Sequence, residues 1–374
     1  MHTLARGLRS RGHESFVFSM KSMGEKSIEV VDGVPYHREL DGMGLVMSSA
    51  SLFEVEEKFA DMVVRRCLEY GVDVLHLQYE AAMFTAGKVK ETVGIPVVLT
   101  LHNTTLWLKK QWARPMDRRA EELDVIVNNY WRNVDTYVAI SDYIRRSFSI
   151  SEVQDRIRVI HNGIDTDFFR YDPELRVKLR SQLDFSDDDF VILNPGRFSE
   201  DKGQHVLLEA LKILSPRFPN IRLVLTGPVD ENIAYREKMR EMGRSLELQS
   251  VVTYRSFEKE LMAGVYSMSD LVVTPVSQKD FGFLLTVAEA LACERMVVVT
   301  RSPFLDEMLP GGCDQVIPVE RTPEGVADGV AEAIESNRYR SRSEVGRQLI
   351  VRNFSVARMV QEYEGIFKSL KGVS

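Results

Sequence analysis

A chain of 374 residues with 44% hydrophobic and 28% charged positions is long for one domain and apolar enough to bury a core in each of two. A formal net charge of -7 argues against a dedicated nucleic-acid binder; a small anionic ligand responds to local cations instead and is not excluded. No apolar run reaches the roughly 18 residues of a membrane span, and Cys67, Cys293 and Cys313 show no metal-ligand spacing. Those absences predict a reduced, cytoplasmic setting with at most peripheral membrane contact.

The segment from His2 to Arg11 reads as a helix stopped by Gly12, and strand-like apolar runs alternate with helical patterns from there on. The first-half runs are Ser15 to Ser19, Val74 to Gln78, Val97 to His102, Thr136 to Ser141 and Val159 to His161. Tyr171-Asp172-Pro173 and the acidic run from Ser186 to Asp189 then interrupt the periodicity and mark a seam. Beyond it come Phe190 to Asn194, Leu223 to Thr226, Val251 to Tyr254, Leu271 to Pro275, Val297 to Thr300 and Gln315 to Pro318. Such alternation predicts α/β layering in two doubly wound sheets. The expected divisions are residues 1–175, 176–354 and a helix within 355–374 that returns to the first domain.

A doubly wound domain ordinarily begins with a strand and a phosphate-facing turn, and both are absent ahead of His2. The expectation is that Met1 is not the native beginning, and that a preceding apolar strand and glycine-rich turn would fill the middle of the first sheet.

Chemistry concentrates where Val191-Ile192-Leu193-Asn194 runs into Pro195-Gly196-Arg197, with Lys202-Gly203 opening the next helix. Glycine lets backbone approach a ligand, a helix start presents unpaired N–H groups, and Arg197 and Lys202 add two cations, a combination suited to a diphosphate. An ordinary strand, turn and helix with two solvated cations has the same local pattern. Five more segments accompany it: Arg11-Gly12-His13-Glu14, Thr100-Leu101-His102, Val138-Ala139-Ile140-Ser141, His161-Asn162-Gly163-Ile164-Asp165 ahead of Phe168, and Glu289-Ala290-Leu291-Ala292. In this order and spacing the chain resembles the retaining glycosyltransferases of family 4, which have two facing Rossmann-like domains, the GT-B arrangement.

The resemblance implies transfer of a hexosyl group from a UDP- or GDP-linked sugar to an unidentified saccharide, lipid-linked or small-molecule acceptor, with no metal required. It implies catalytic roles for His102, Arg197 and Lys202. His102 would face the donor sugar, Arg197 and Lys202 the diphosphate, and Glu289 the ribose hydroxyls. Gly196, Gly227, Asp280, Gly282 and Phe283 complete the implied donor site, Gly227 by giving the nucleotide room. Asn162, Gly163 and Asp165 shape a turn.

Several positions depart from the family. On the loop before Glu289, Phe281 or Lys279 stands where relatives carry a glutamate, and Asp280 is the nearest carboxylate. Glu294 and Met296 replace glycine and proline, Pro303-Phe304 replaces a glycine pair, and Arg255 replaces a small residue near the base. These departures leave two alternatives, a non-catalytic or partner-dependent relative that binds nucleotide weakly and a nucleotide-sugar epimerase. A dinucleotide-dependent oxidoreductase is disfavoured because no Gly-x-Gly-x-x-Gly follows a strand. Trp107, Lys109, Lys110, Trp112, Arg114, Arg118 and Arg119 would suit an anionic acceptor or lipid surface, or form a solvated helix face.

Overall fold

The computed structural model describes residues 1–22, 24–41, 50–105, 109, 118–228, 232–277, 283–340 and 344–371. Two compact units divide it, Met1–Gly163 with Val356–Ser374, and Ile164–Ser355. The first unit therefore ends at Gly163, ahead of the expected residue 175. The helix after the boundary explains the difference: Arg176 and Arg180, on Pro173–Gln182, both pair with Asp270 of the second unit, at 2.7 and 3.2 Å.

In the first unit, α1 (His2–Ser10) leads to strand β1 (Val17–Lys21), which pairs in parallel with β3 (Val34–Asp41). Strand β2 (Ile28–Val31) pairs antiparallel with β3 through a turn at Asp32 and Gly33, both with positive φ. Asp-Gly between apolar runs is a strong hairpin signal, and it was readable in the sequence. After α2 (Leu52–Tyr70) a separate parallel sheet has the order β4 (Leu75–Leu77), β5 (Val97–Leu101), β6 (Thr136–Ala139), β7 (Arg158–Val159). Helices α3 (Met83–Thr92), α4 (Arg119–Tyr130) and α5 (Asp142–Ser147) connect these strands. Every residue of β5 is buried, as a central parallel strand requires.

The C-terminal helix Val356–Lys371 joins this unit, setting Val360, Tyr363 and Ile366 against Leu4, Leu8, Val98, Val138 and Ile160. Gly7 makes the crossing possible, since a Cβ there would lie 2.4 Å from Val360 Cγ2. Glu364 then receives Arg11, His13 and Lys368 at 2.7 to 2.8 Å, and these partners hold its carboxyl down to about 2.

The second unit is one six-stranded parallel sheet, in the order β10 (Val252–Tyr254), β9 (Ile221–Thr226), β8 (Phe190–Pro195), β11 (Leu271–Thr274), β12 (Met296–Thr300), β13 (Val316–Val319). Its helices are α6 (Pro173–Gln182), α7 (Gln204–Leu214), α8 (Ile233–Ser245), α9 (Met262–Met268), α10 (Leu285–Ala292), α11 (Pro303–Met308), α12 (Pro323–Glu335) and α13 (Glu344–Phe354). Strands β8, β11 and β12 are buried throughout, which explains their unbroken apolar runs. Winding proceeds outward from β8 to β10 on one side and from β11 to β13 on the other. The direction reverses between β8 and β11, and ligands of open α/β sheets bind at the carboxyl ends of such a pair.

Candidate functional site

At that reversal the chain leaves β8 through Gly196, whose φ of +149° favours glycine and whose N–H donates to Thr226 O at 2.9 Å. Arg197 follows, exposed, with its carbonyl accepting from Gln204 Nε2 at 2.9 Å. A short turn over Glu200–Lys202 ends at Gly203, with φ of +72°. A Cβ at Gly203 would lie 2.1 Å from Pro275 O, so only glycine fits. Gly203 starts α7 without a side-chain cap, leaving the helix's first N–H groups and its positive end toward the loop. Gly227 is equally constrained, because a Cβ there would meet Gly196 O at 2.1 Å. The space it makes is taken by the loop's own carbonyl.

Neighbouring loops hold this one in shape. Ser277 N donates to Asp201 O at 2.7 Å, Asn232 Nδ2 to Phe198 O at 3.0 Å, and Arg321 to the carbonyls of Pro275 and Glu200 at 2.9 and 2.6 Å. Burial pushes the half-buried Lys202 ammonium's pKa down; Asp201, 3.9 Å away, raises it and Arg197 lowers it. Four buried side-chain oxygens around the same strand ends have no hydrogen-bond partner among the described residues: Asn194 Oδ1, Ser199 Oγ, Gln204 Oε1 and Thr274 Oγ1. Buried polar atoms are ordinarily satisfied, and these four exceptions lie beside the loop at the reversal of strand order.

Glu289 lies on α10 and accepts from the Tyr266 hydroxyl at 2.5 Å. Burial pushes its carboxyl up to about 7, with the Tyr266 bond pulling the other way. One oxygen is thus committed to a fully buried tyrosine, and the second retains acceptor capacity. Phe283 is buried against Phe304 and Phe354, with ring centroids 4.9 and 5.8 Å apart. Its side chain belongs to the core, so a ligand contact from this residue would be through backbone. Arg255 is exposed, with its guanidinium 5.5 Å from the Phe257 ring centroid. Glu294 has a φ of +60°, so the backbone there keeps the shape that suits the family's glycine.

His102 follows β5 in the first unit, with Nε2 2.8 Å from Gln78 Oε1. Burial depresses its pKa to about 4, with the Met1 ammonium adding to the effect. The ring is therefore neutral at pH 7, donates from Nε2 to Gln78, and keeps Nδ1 as an acceptor. Gln78 Nε2 in turn donates to His76 Nε2 at 2.9 Å, and His76 meets Thr100, which bonds Tyr363. Gln78, which sequence reasoning did not single out, thus decides which ring nitrogen of His102 is open. Its position just past a strand adjoining β5 was the available signal.

Asp280 and Gly282, with Lys279 and Phe281, lie outside the described residues, as do Trp107, Lys110, Trp112 and Arg114. Of the remaining cations in that aromatic segment, Lys109 pairs with Asp124 at 2.5 Å and Arg119 donates to Ala50 O, while Arg118 is exposed. No helix among the described residues is long and apolar enough to cross a membrane.

Comparison with known proteins adds the chemistry. The family model "Glycosyltransferase Family 4" matches residues 1–168, and "Glycosyl transferases group 1" matches residues 176–348. A D-inositol 3-phosphate glycosyltransferase of Paenarthrobacter aurescens is 27% identical over 357 residues, covering 93% of this chain and 86% of its own. An alpha-monoglucosyldiacylglycerol synthase of Streptococcus pneumoniae is 24% identical, covering 83% and 68%. Among solved structures, Anabaena Alr3699/HepE in complex with UDP and glucose has a TM-score of 0.78 at 19% identity, covering 98% of this chain and 94% of its own.

Proposed function

This chain belongs to the GT-B glycosyltransferases, with a family 4 domain followed by a group 1 domain, and from that premise we propose that it moves a hexosyl group from a UDP- or GDP-linked sugar to an acceptor hydroxyl with retention of configuration. The observation that carries the donor reading is the Gly196 to Gly203 loop, where two glycine-only positions, the start of α7, Arg197 and Lys202 converge at the reversal of strand order. In the reaction the bond from the anomeric carbon to the phosphate oxygen breaks, and the diphosphate leaves with the electron pair. The acceptor oxygen forms the new bond, and its proton passes to the departing phosphate. Negative charge grows on the leaving oxygen, so fixed cations and a helix start stabilise the transition state more than the ground state. These groups supply the charge that a metal would otherwise bring, and we propose that none is needed.

Retention is supported by the family resemblance. Through Nδ1, His102 would accept a hydrogen bond from a sugar hydroxyl, and Glu289 would accept from the ribose. The names of the relatives, an inositol phosphate glycosyltransferase and a diacylglycerol glycolipid synthase, support a polyol phosphate or lipid-linked acceptor.

The test is transfer from a panel of UDP- and GDP-sugars, read by mass spectrometry, with Arg197→Ala, Lys202→Ala and EDTA arms. Each substitution should lower turnover about a hundredfold, the effect of roughly 3 kcal/mol of transition-state stabilisation, with little change in melting temperature. EDTA should have no effect. Full activity in both variants would refute the phosphate assignment, and loss of activity in EDTA would refute the metal-free one.

A further inference from the structure

Arg321 stands outside the loop from Gly196 to Gly203, in the turn that leads from β13 into α12. Its root is fixed from both sides. Arg301 N donates to Val319 O at 3.0 Å, and the Thr322 hydroxyl caps α12 by accepting from Gly325 N at 3.0 Å. The turn is tight enough that a Cβ at Gly325 would lie 2.8 Å from Glu320 O. From this root the guanidinium reaches two carbonyls that follow different strands. Nε donates to Pro275 O at 2.9 Å, just past β11, and Nη2 donates to Glu200 O at 2.6 Å, in the loop after β8. Those are the two strands between which the order reverses.

We infer that Arg321 is a positioning residue for the donor diphosphate: its planar fork clasps the two loops at the reversal and so holds Gly203, the start of α7 and Lys202 in the shape that receives the phosphates. The inference rests on the donor reading above and concerns a residue that acts through the loop rather than on the ligand.

Both carbonyls already bear on Gly203. Pro275 O would lie 2.1 Å from a Cβ there, and Glu200 O accepts from Gly203 N at 3.2 Å. A shift of either carbonyl is therefore a shift of the residue that starts α7, and Lys202 lies between Glu200 and Gly203 in the chain. Carbonyl oxygens gathered at one point repel each other, and a forked cation across them removes that repulsion with a fixed geometry that lysine's single ammonium cannot copy. Charge placement argues the same way. Burial and then the Arg321 charge push down the pKa of His205, in the first turn of α7, so this cation stands close to the positive end of the helix. Arg197 and Lys202 are at the same end. Glu200 and Asp201 offset part of this charge, but cations at a helix start are unfavourable alone and favourable once an anion lies among them. The bonds from Ser277 N to Asp201 O and from Asn232 to Phe198 O do not involve Arg321, so a variant should keep the loop's course and lose its fine placement.

The test is a double-mutant cycle between Arg321→Ala and Lys202→Ala, read as sugar transfer, with Arg321→Lys as a second variant that keeps the charge and loses the fork. Arg321→Ala should lower turnover at least tenfold, mostly in kcat, because displaced groups are felt most in the transition state. Arg321→Lys should fall nearly as far, and it carries the same cycle should the alanine variant fail to fold. In the Lys202→Ala background either Arg321 substitution should cost less than about threefold, since the group it positions is already gone. Losses of equal size in both backgrounds would overturn the positioning role while leaving the donor reading in place. Full turnover in Arg321→Lys would overturn the fork. Full activity in Lys202→Ala would overturn the donor reading, and this inference with it.

Discussion

Replacing Glu289 with glutamine should separate stability from binding, in opposite directions. The Glu289 carboxyl is pushed from 4.5 to about 7 by burial beside Tyr266. Because its folded-state pKa lies above the unfolded one, the folded protein prefers the protonated form. The contribution to stability is complete below pH 4.5, declines between 4.5 and about 7, and levels off above that. The corresponding free energy is roughly 3 kcal/mol at pH 8. Glutamine is neutral at every pH and still accepts from the Tyr266 hydroxyl. At pH 8 the nucleotide-free variant should therefore melt about 6 °C above the parent, at roughly 2 °C or more per kcal/mol for a domain of this size. At pH 5 the offset should shrink to about 2 °C or less, because most of the contribution is still present there. Nucleotide binding should move the other way, because an ionised carboxylate is the stronger acceptor for ribose hydroxyls. Calorimetric titration with UDP and GDP at pH 8 should show the variant weaker by about tenfold or more. A melting-temperature difference between variant and parent as large at pH 5 as at pH 8 would refute the burial argument. Unchanged nucleotide affinity would remove Glu289 from the ribose role.

Gly203→Ala places a Cβ 2.1 Å from Pro275 O and at a φ of +72°, so turnover should fall at least as far as in Lys202→Ala; a variant with normal kinetics would show that the loop's shape is unimportant. Asp270→Asn leaves Arg176 and the 5%-exposed Arg180 without their carboxylate, and denaturant unfolding of the second unit should register a loss of about 3 kcal/mol. A loss below about 1 kcal/mol, the value of an exposed pair, would contradict that reading. Glu294→Gly relieves a left-handed residue and should stabilise by about 1 kcal/mol, seen as a higher melting temperature with unchanged transfer.

The α/β layering of both units was legible in the sequence because a parallel strand buried on both faces needs an unbroken apolar run, although the first unit divides its strands between two separate sheets. Phe190 to Asn194 and Val297 to Thr300 follow that rule with little help from distant residues. The shape of the loop from Gly196 to Gly203 was legible for a related reason: both glycines are required by backbone angles that few other residues adopt. What only the tertiary structure decided depends on neighbours far away in the chain. Gly227 reads locally as room for a ligand, yet Gly196 O fills that room. Phe283 reads locally as a donor-site residue just ahead of α10, but Phe304 and Phe354 claim its ring. The unit boundary moved to Gly163 because Arg176 and Arg180 find Asp270, about ninety positions on, a pairing that no local pattern encodes. His102 could be named from sequence, but its open nitrogen is chosen by Gln78 on the adjoining strand's end, and strand order is set by packing rather than by spacing.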